Sequence, residues 1–204
     1  VRVRREVRAL HQEWNITVLQ VTHDFTEAGL LGDVAILLDS GRVPQSGPRE
    51  RLFRGPASPY IAEFLGAENV LAGTVHHLRD TAPDWSAADD DVSDLSARGK
   101  HAIEFRAGPL TLYTVGDAEE GSGHAVIRAE EILLSVEPHP SSARNVFRGR
   151  IIEVASSGAL TRVTVDVQDT PIIAAPTTRS AEELRLTRGN EVWASFKAMA
   201  VHLC

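Results

Sequence analysis

The chain has 204 residues, with 21 Lys and Arg against 28 Asp and Glu, and a formal net charge of −7. That length holds one to three small domains with cores of their own, and no apolar run in it is long enough to cross a membrane as a helix. The single cysteine, Cys204, excludes an internal disulfide and fits a reducing cytoplasm. The charge is uneven: residues 1–66 carry 8 Lys/Arg and 8 Asp/Glu, residues 67–141 carry 5 against 14, and residues 142–204 carry 8 against 6. The acidic middle argues against nucleic acid, whose binders need a basic footprint. Arg2, Arg4, Arg5 and Arg8 form the one basic cluster and read as the wet face of an amphipathic helix.

In chain order, Ile16-Thr17-Val18-Leu19-Gln20-Val21 is a short apolar, β-branched run. It predicts a buried parallel strand. Thr22-His23-Asp24 ends it, and Asp24 with Glu27 three residues on predicts a capping box that opens a helix. His23 then stands at the carboxyl end of a strand beside a helix N-terminus, where open α/β sheets bind ligands. Residues 33–38 predict a second strand, Asp39-Ser40-Gly41-Arg42 a turn with Gly41 at positive φ, and residues 48–54 a short helix. Gly55-Pro56-Ala57-Ser58-Pro59-Tyr60-Ile61-Ala62-Glu63-Phe64-Leu65-Gly66 follows.

This order of motifs over residues 1–66 resembles the C-terminal end of an ABC transporter ATPase domain. The resemblance implies that His23 is the switch-loop histidine that contacts the γ-phosphate of ATP. The residues that would carry phosphoryl transfer are missing. The chain has no Gly-x-x-x-x-Gly-Lys-Ser/Thr, no Ser-Gly-Gly-Gln, and no apolar run ending in Asp-Glu. Phosphoryl transfer needs a backbone cradle, a lysine and a metal. The chain therefore reads as a fragment of a longer ATPase. ATP and magnesium belong to the intact parent, and this piece alone is expected to be inactive.

The second half contains a repeat. Asn69-Val70-Leu71-Ala72-Gly73-Thr74-Val75 matches Asn145-Val146-Phe147-Arg148-Gly149-Arg150-Ile151, and Ile127-Arg128-Ala129 with Ile132 and Leu134 matches Phe196-Lys197-Ala198 with Val201 and Leu203. The first copy is the longer, and its extra residues fall in the Asp- and Ser-rich stretch 81–100, read as a solvated loop. Asp84, Asp89, Asp90, Asp91 and Asp94 lack calcium-loop spacing. His76 and His77 are adjacent, so on a strand they face opposite ways and cannot share a metal. Strands are predicted at 103–105, 110–115, 163–167 and 192–196, and one helix at 178–184, with Thr178 as its cap. Short strands around a small helix suggest oligomer-binding-type (OB) barrels. The predicted organisation is residues 1–66 as the end of an ATPase domain, 67–141 as a first barrel with an acidic loop, and 142–204 as a second barrel. The fold class is thus an α/β remnant followed by all-β tandem barrels.

Residues 68–204 resemble the transport-associated OB (TOBE) module of ABC ATPases, and the second copy resembles the molybdate-binding Mop domain. The matching pieces are Ser142-Ala143-Arg144-Asn145, Thr177-x-x-Ser180 and Phe196-Lys197-Ala198. In the Mop family these pieces meet at subunit interfaces around a tetrahedral oxyanion. The resemblance implies that Ser142, Arg144, Thr177, Ser180 and Lys197 contact the anion and that the chain is a homodimer. Cationic donors, hydroxyls and free N–H groups are what a dianion requires. Two positions depart from the pattern. Met199 stands where the family often has a small hydroxyl residue, and Glu68 precedes Asn69 where the second copy has Arg144. Only the second copy therefore reads as an anion site. The alternative for Arg144 and Lys197 is pairing with carboxylates across a dimer interface.

Three readings follow. The first is the C-terminal regulatory portion of the ATPase subunit of an oxyanion importer, of molybdate or tungstate type. It would be held at the inner face of the membrane by permease subunits. The second is the same portion of an importer for another solute (sugar, polyamine or iron), with purely structural barrels. The third is a stand-alone oxyanion-binding protein, against which residues 1–66 speak.

Overall fold

The computed structural model describes residues 6, 9–10, 13–14, 16–23, 28, 32–78 and 101–204. The arginine cluster at 2–8, the capping residues Asp24 and Glu27, and the Asp-rich stretch 81–100 lie outside them. The chain divides into two compact units, residues 1–57 and 58–204.

The first unit contains a hairpin of β1 (Val34–Asp39) and β2 (Arg42–Pro48), followed by α1 (Arg49–Arg54). Ser40 and Gly41 both take positive φ, 48° and 75°, the geometry of a tight turn that matches strand twist. Leu37 and Leu52 are buried between hairpin and helix. Gln45 secures the following loop, donating to the Gly55 carbonyl and accepting from the Ala57 N–H, both at 2.9 Å. The expected strand at 16–21 does not form: those residues are irregular, with Leu19 86 % and Val21 91 % exposed. A buried parallel strand exists only with paired neighbours and covered faces, and no described strand lies beside this one.

The second unit opens with α2 (Pro59–Phe64), set by the Ser58 side chain accepting from the Ile61 N–H at 3.2 Å and by Pro59 in its first turn. Ten strands follow. The first copy supplies β3 (Asn69–His77), β4 (His101–Ala107), β5 (Leu110–Gly116), β6 (Gly121–Ile127) and β7 (Leu133–Ser135). The second supplies β8 (Asn145–Ser157), β9 (Leu160–Val167), β10 (Thr170–Ala174), β11 (Glu191–Phe196) and β12 (Val201–Leu203). A helix, α3 (Thr178–Glu183), lies between β10 and β11. The first copy has only a short loop between β5 and β6 in its place.

The two antiparallel sheets run β12-β6-β3-β4-β5 and β10-β9-β8-β11-β7. Each copy thus gives its last strand to the other's sheet: β12 pairs with β6, and β7 pairs with β11. The copies also share one core, in which Ile103, Phe105, Leu112 and Ile127 meet Val163, Val165, Ile172 and Phe196.

Two asparagines lock the exchange. Asn69 is 2 % exposed and Asn145 1 %. Asn145 accepts from the Tyr113 N–H at 2.7 Å and donates to the Tyr113 carbonyl at 2.9 Å. Asn69 does the same to Ile173, accepting at 2.7 Å and donating at 2.9 Å, and also donates to the Ile127 carbonyl at 3.1 Å. Tyr113 and Ile173 lie on the edge strands β5 and β10, so each side-chain amide satisfies edge backbone that would otherwise be left unpaired. Thr114 completes the closure of β5 by donating to the carbonyls of Ala198 and Val201.

Candidate functional site

The five expected anion contacts fall at the two ends of β8. Register places Asn145 opposite Phe196. Arg144 and Lys197, one residue beyond that pair on each strand, therefore stand side by side at the start of β8, with Ser142 just upstream. All three are exposed. The backbone turns at Lys197 into a short 3-10 segment, Ala198–Ala200, with Met199 64 % exposed on it. No described carboxylate pairs with Lys197.

Thr177 and Ser180 lie at the other end. Ser157 pairs with Leu160, and Leu160 bridges to Thr177. Thr177, not Thr178, caps α3: its hydroxyl accepts from the Ser180 N–H at 3.1 Å and lies 2.8 Å from the Ser180 hydroxyl. Thr178 instead turns back, donating to the Gly158 carbonyl at 3.0 Å. Along β8 the two groups are separated by about 40 Å of strand, at about 3.3 Å per residue. One chain brings Arg144 and Lys197 together and the two hydroxyls together, but does not join the pairs.

The corresponding positions of the first copy are occupied differently. Glu68, in the place of Arg144, forms an ion pair with Arg162 on β9. Arg128, in the place of Lys197, lies 3.9 Å from Glu130. Carboxylates beside both cations make this end a poor anion receptor.

His23, the expected phosphate ligand, is exposed on irregular backbone. His76 and His77 point apart as expected: His76 bonds the Thr74 hydroxyl at 3.0 Å, while His77 bonds the Ala118 carbonyl at 2.7 Å and stacks on His101. No group of three metal-ligating side chains occurs among the described residues. Burial pushes the Cys204 thiol up, which leaves less of the reactive thiolate.

Comparison with known proteins places these elements. Residues 141–203 match the TOBE domain family. The chain is 32 % identical over 196 residues to the molybdate/tungstate import ATP-binding protein WtpC of Pyrococcus abyssi, covering 96 % of this chain and 49 % of that protein. It is 28 % identical over 194 residues to the spermidine/putrescine import ATP-binding protein PotA of Thermobifida fusca, covering 94 % of this chain and 46 % of that one. The chain thus spans about half the length of the curated relatives it matches. In fold it resembles the cytoplasmic molybdate-binding protein ModG, crystallised with molybdate bound. The TM-score is 0.54 at 24 % identity, covering 68 % of this chain and 96 % of that one.

Proposed function

Residues 141–203 form a TOBE domain, and from that premise we propose that the chain is the C-terminal regulatory portion of the ATP-hydrolysing subunit of an ABC importer for an oxyanion such as molybdate or tungstate. The observation that carries this reading is the pairing of Arg144 and Lys197 by the Asn145–Phe196 register, in a fold of ModG type. The sequence likeness to molybdate/tungstate import ATP-binding proteins supports it. Two chains related by a two-fold axis would set Arg144 and Lys197 of one against Thr177 and Ser180 of the other, giving two equivalent sites. The runner-up keeps the importer and changes the solute, with structural barrels; the likeness to the spermidine/putrescine protein favours it.

ATP and magnesium do not fit the residues present. A nucleotide needs backbone N–H groups and a lysine around its phosphates; the sequence holds no phosphate-loop motif, and His23, the one expected contact, is exposed. The purified 204-residue chain is therefore expected to hydrolyse no ATP above background. Steady turnover by this chain would remove the premise that catalysis belongs to a longer parent. In that parent the subunit would sit at the cytoplasmic face of the membrane, bound to its permease.

Calorimetry tests the oxyanion site. Molybdate and tungstate are expected to bind the dimeric chain. Phosphate, smaller than molybdate and partly a monoanion near neutral pH, should bind more weakly than either. Arg144→Ala and Lys197→Ala are each expected to weaken binding by about 2 kcal/mol, and Ser180→Ala by about 1, since charge-assisted bonds are the stronger. A sample that light scattering shows to be dimeric at roughly tens of micromolar, yet gives no heat with either anion, promotes the runner-up.

A further inference from the structure

The two halves of the proposed anion site sit at opposite ends of β8, so whatever joins them acts along that strand. Residues directly opposite in an antiparallel ladder point to the same face. Arg150 stands opposite Asp166 on β9 and Glu191 on β11, and Arg148 opposite Trp193, so Val146, Arg148 and Arg150 share the outer face. Between Ile151 and Glu153 the ladder slips by one residue. Ile151 is buried, Ile152 is 41 % exposed, and Val154 packs against the core. Past the slip it is Glu153, Ala155 and Ser157 that face outward. Even-numbered residues look out before this bulge and odd-numbered ones after it.

Building on the oxyanion reading, we infer that two copies of the chain pack outer face to outer face, with their β8 strands antiparallel across a two-fold axis between residues 150 and 151. Residues 144 and 157 lie equally far from that point, as do 146 and 155, and 148 and 153. The axis therefore sets Arg144 of one copy opposite Ser157 of the other, whose ladder partner Leu160 bridges to Thr177. Both ends are completed at once, as two-fold symmetry requires. The same axis sets Arg148 opposite the second copy's Glu153. Without the bulge each of these pairs would join an outward residue to an inward one. Charge selects the same occupant. Arg148 and Arg150 both turn to Glu191, Asp166 stands opposite Arg150, and Arg162 is met by Glu68. Glu153 is exposed, and its carboxylate has no ion-pair partner among the described residues. Each copy thus offers an arginine that shares its carboxylate and a carboxylate that lacks an arginine, at places the axis brings together. Leu133 and Val146, exposed at one end of the face, are laid toward Leu160, exposed at the other.

The experiment is done without oxyanion, on the full chain carrying Cys204→Ser. Light scattering at roughly tens of micromolar should give a dimer. In that background Ile152→Cys, exposed beside the axis, should be joined to its own copy by a short bismaleimide. Leu160→Cys, on the same face but far from the axis, should not. Glu153→Arg should weaken the dimer at least about tenfold, by setting arginine against arginine, and Arg148→Glu should do the same with carboxylates. The double variant should regain most of the loss. Within one chain the two positions are separated by about 16 Å of strand, so the rescue requires contact between copies. A monomer at that concentration overturns the proposal and leaves the face to another occupant. A dimer in which Ile152→Cys does not cross-link also overturns it, in favour of another face or of the second copy's α1 seated here. So does a double variant no better than Glu153→Arg. The oxyanion reading fails separately. A cross-linked, charge-rescued dimer that gives no heat with molybdate or tungstate keeps this interface and loses the anion site. Heat from a dimer that Ile152→Cys does not cross-link keeps the anion site and overturns this interface.

Discussion

Gly73→Ala is expected to destabilise the β-rich unit by about 3 kcal/mol, at the upper end of what overpacking costs. A Cβ at Gly73 would sit 2.2 Å from the Arg106 carbonyl oxygen and 2.7 Å from the ring of Phe105. Neither neighbour has room to yield. Arg106 is held between β3 and β5 by its ladder partners Thr74 and Thr111, and Phe105 is fully buried in the shared core. Gly149 occupies the same place in the second copy, with the Asp166 carbonyl 2.6 Å and a Val165 methyl 2.5 Å from a built Cβ. Gly149→Ala should cost a similar amount. Gly158→Ala is the control: its φ is +63° with nothing within 4 Å. It should lose only the roughly 1 kcal/mol that a left-handed conformation costs an L residue. Urea unfolding followed by circular dichroism ranks the three. A Gly73→Ala midpoint equal to that of Gly158→Ala would mean the two strands do not approach as closely as described.

Asn145→Ala should cost about 2 kcal/mol, because it strips both part-buried backbone groups of Tyr113 of their partners, at the lower end of about 1–3 kcal/mol each. Asn69→Ala strips the Ile173 N–H and the carbonyls of Ile173 and Ile127 together, and should cost at least as much. Asn145→Asp discriminates lost shape from lost hydrogen bonding. It keeps the acceptor for the Tyr113 N–H but turns a carboxylate oxygen toward the Tyr113 carbonyl, so it should be no better than alanine near neutral pH. Because the two copies share a core, each variant should unfold in one transition, with sheet loss and exposure of Trp193 coinciding. Variants that lose less than about 1 kcal/mol would reduce these amides to ordinary surface contacts.

Much of the β architecture is legible in the residues. The alternation in 163–167 and 192–196, the apolar runs at 103–105 and 110–115, and the Ser40-Gly41 turn all emerge as strands and turn near their expected places. The run at 16–21 is where the pattern misleads. A β-branched segment reads as a buried strand from its composition, but pairing and cover are supplied by other segments. The capping residue of α3 depends on backbone geometry, since Thr177 and Thr178 are equal in chemistry. Thr177 has the extended backbone (φ −62°, ψ 148°) that aims its oxygen at the Ser180 N–H. The exchange of β7 and β12 is invisible locally, because a three-residue strand carries nothing that names its partner sheet. The Asn-Val-apolar-x-Gly repeat did carry a signal. A polar residue heading an apolar strand, four positions before a glycine in both copies, marks the lock and the close approach together. For the candidate site, the proximity of Arg144 and Lys197 was implied by the family resemblance and rests in the structure on the β8–β11 register, which no single segment displays. The placing of Thr177 and Ser180 at the far end of β8 depends on the length and path of that strand.

The crossed strands also set an order on biosynthesis. The sheet begun at Asn69 waits for β12, which the ribosome delivers after all of the second copy's other strands. Until then β6 has a bare edge, and the first half of the repeat has no complete state in which to rest. Contacts of such long sequence separation fold slowly, and an open edge meanwhile invites pairing with other nascent chains. The duplication therefore did not yield two modules that can be shuffled independently. It yielded a single cooperative object whose halves can be inherited, truncated or transplanted only together.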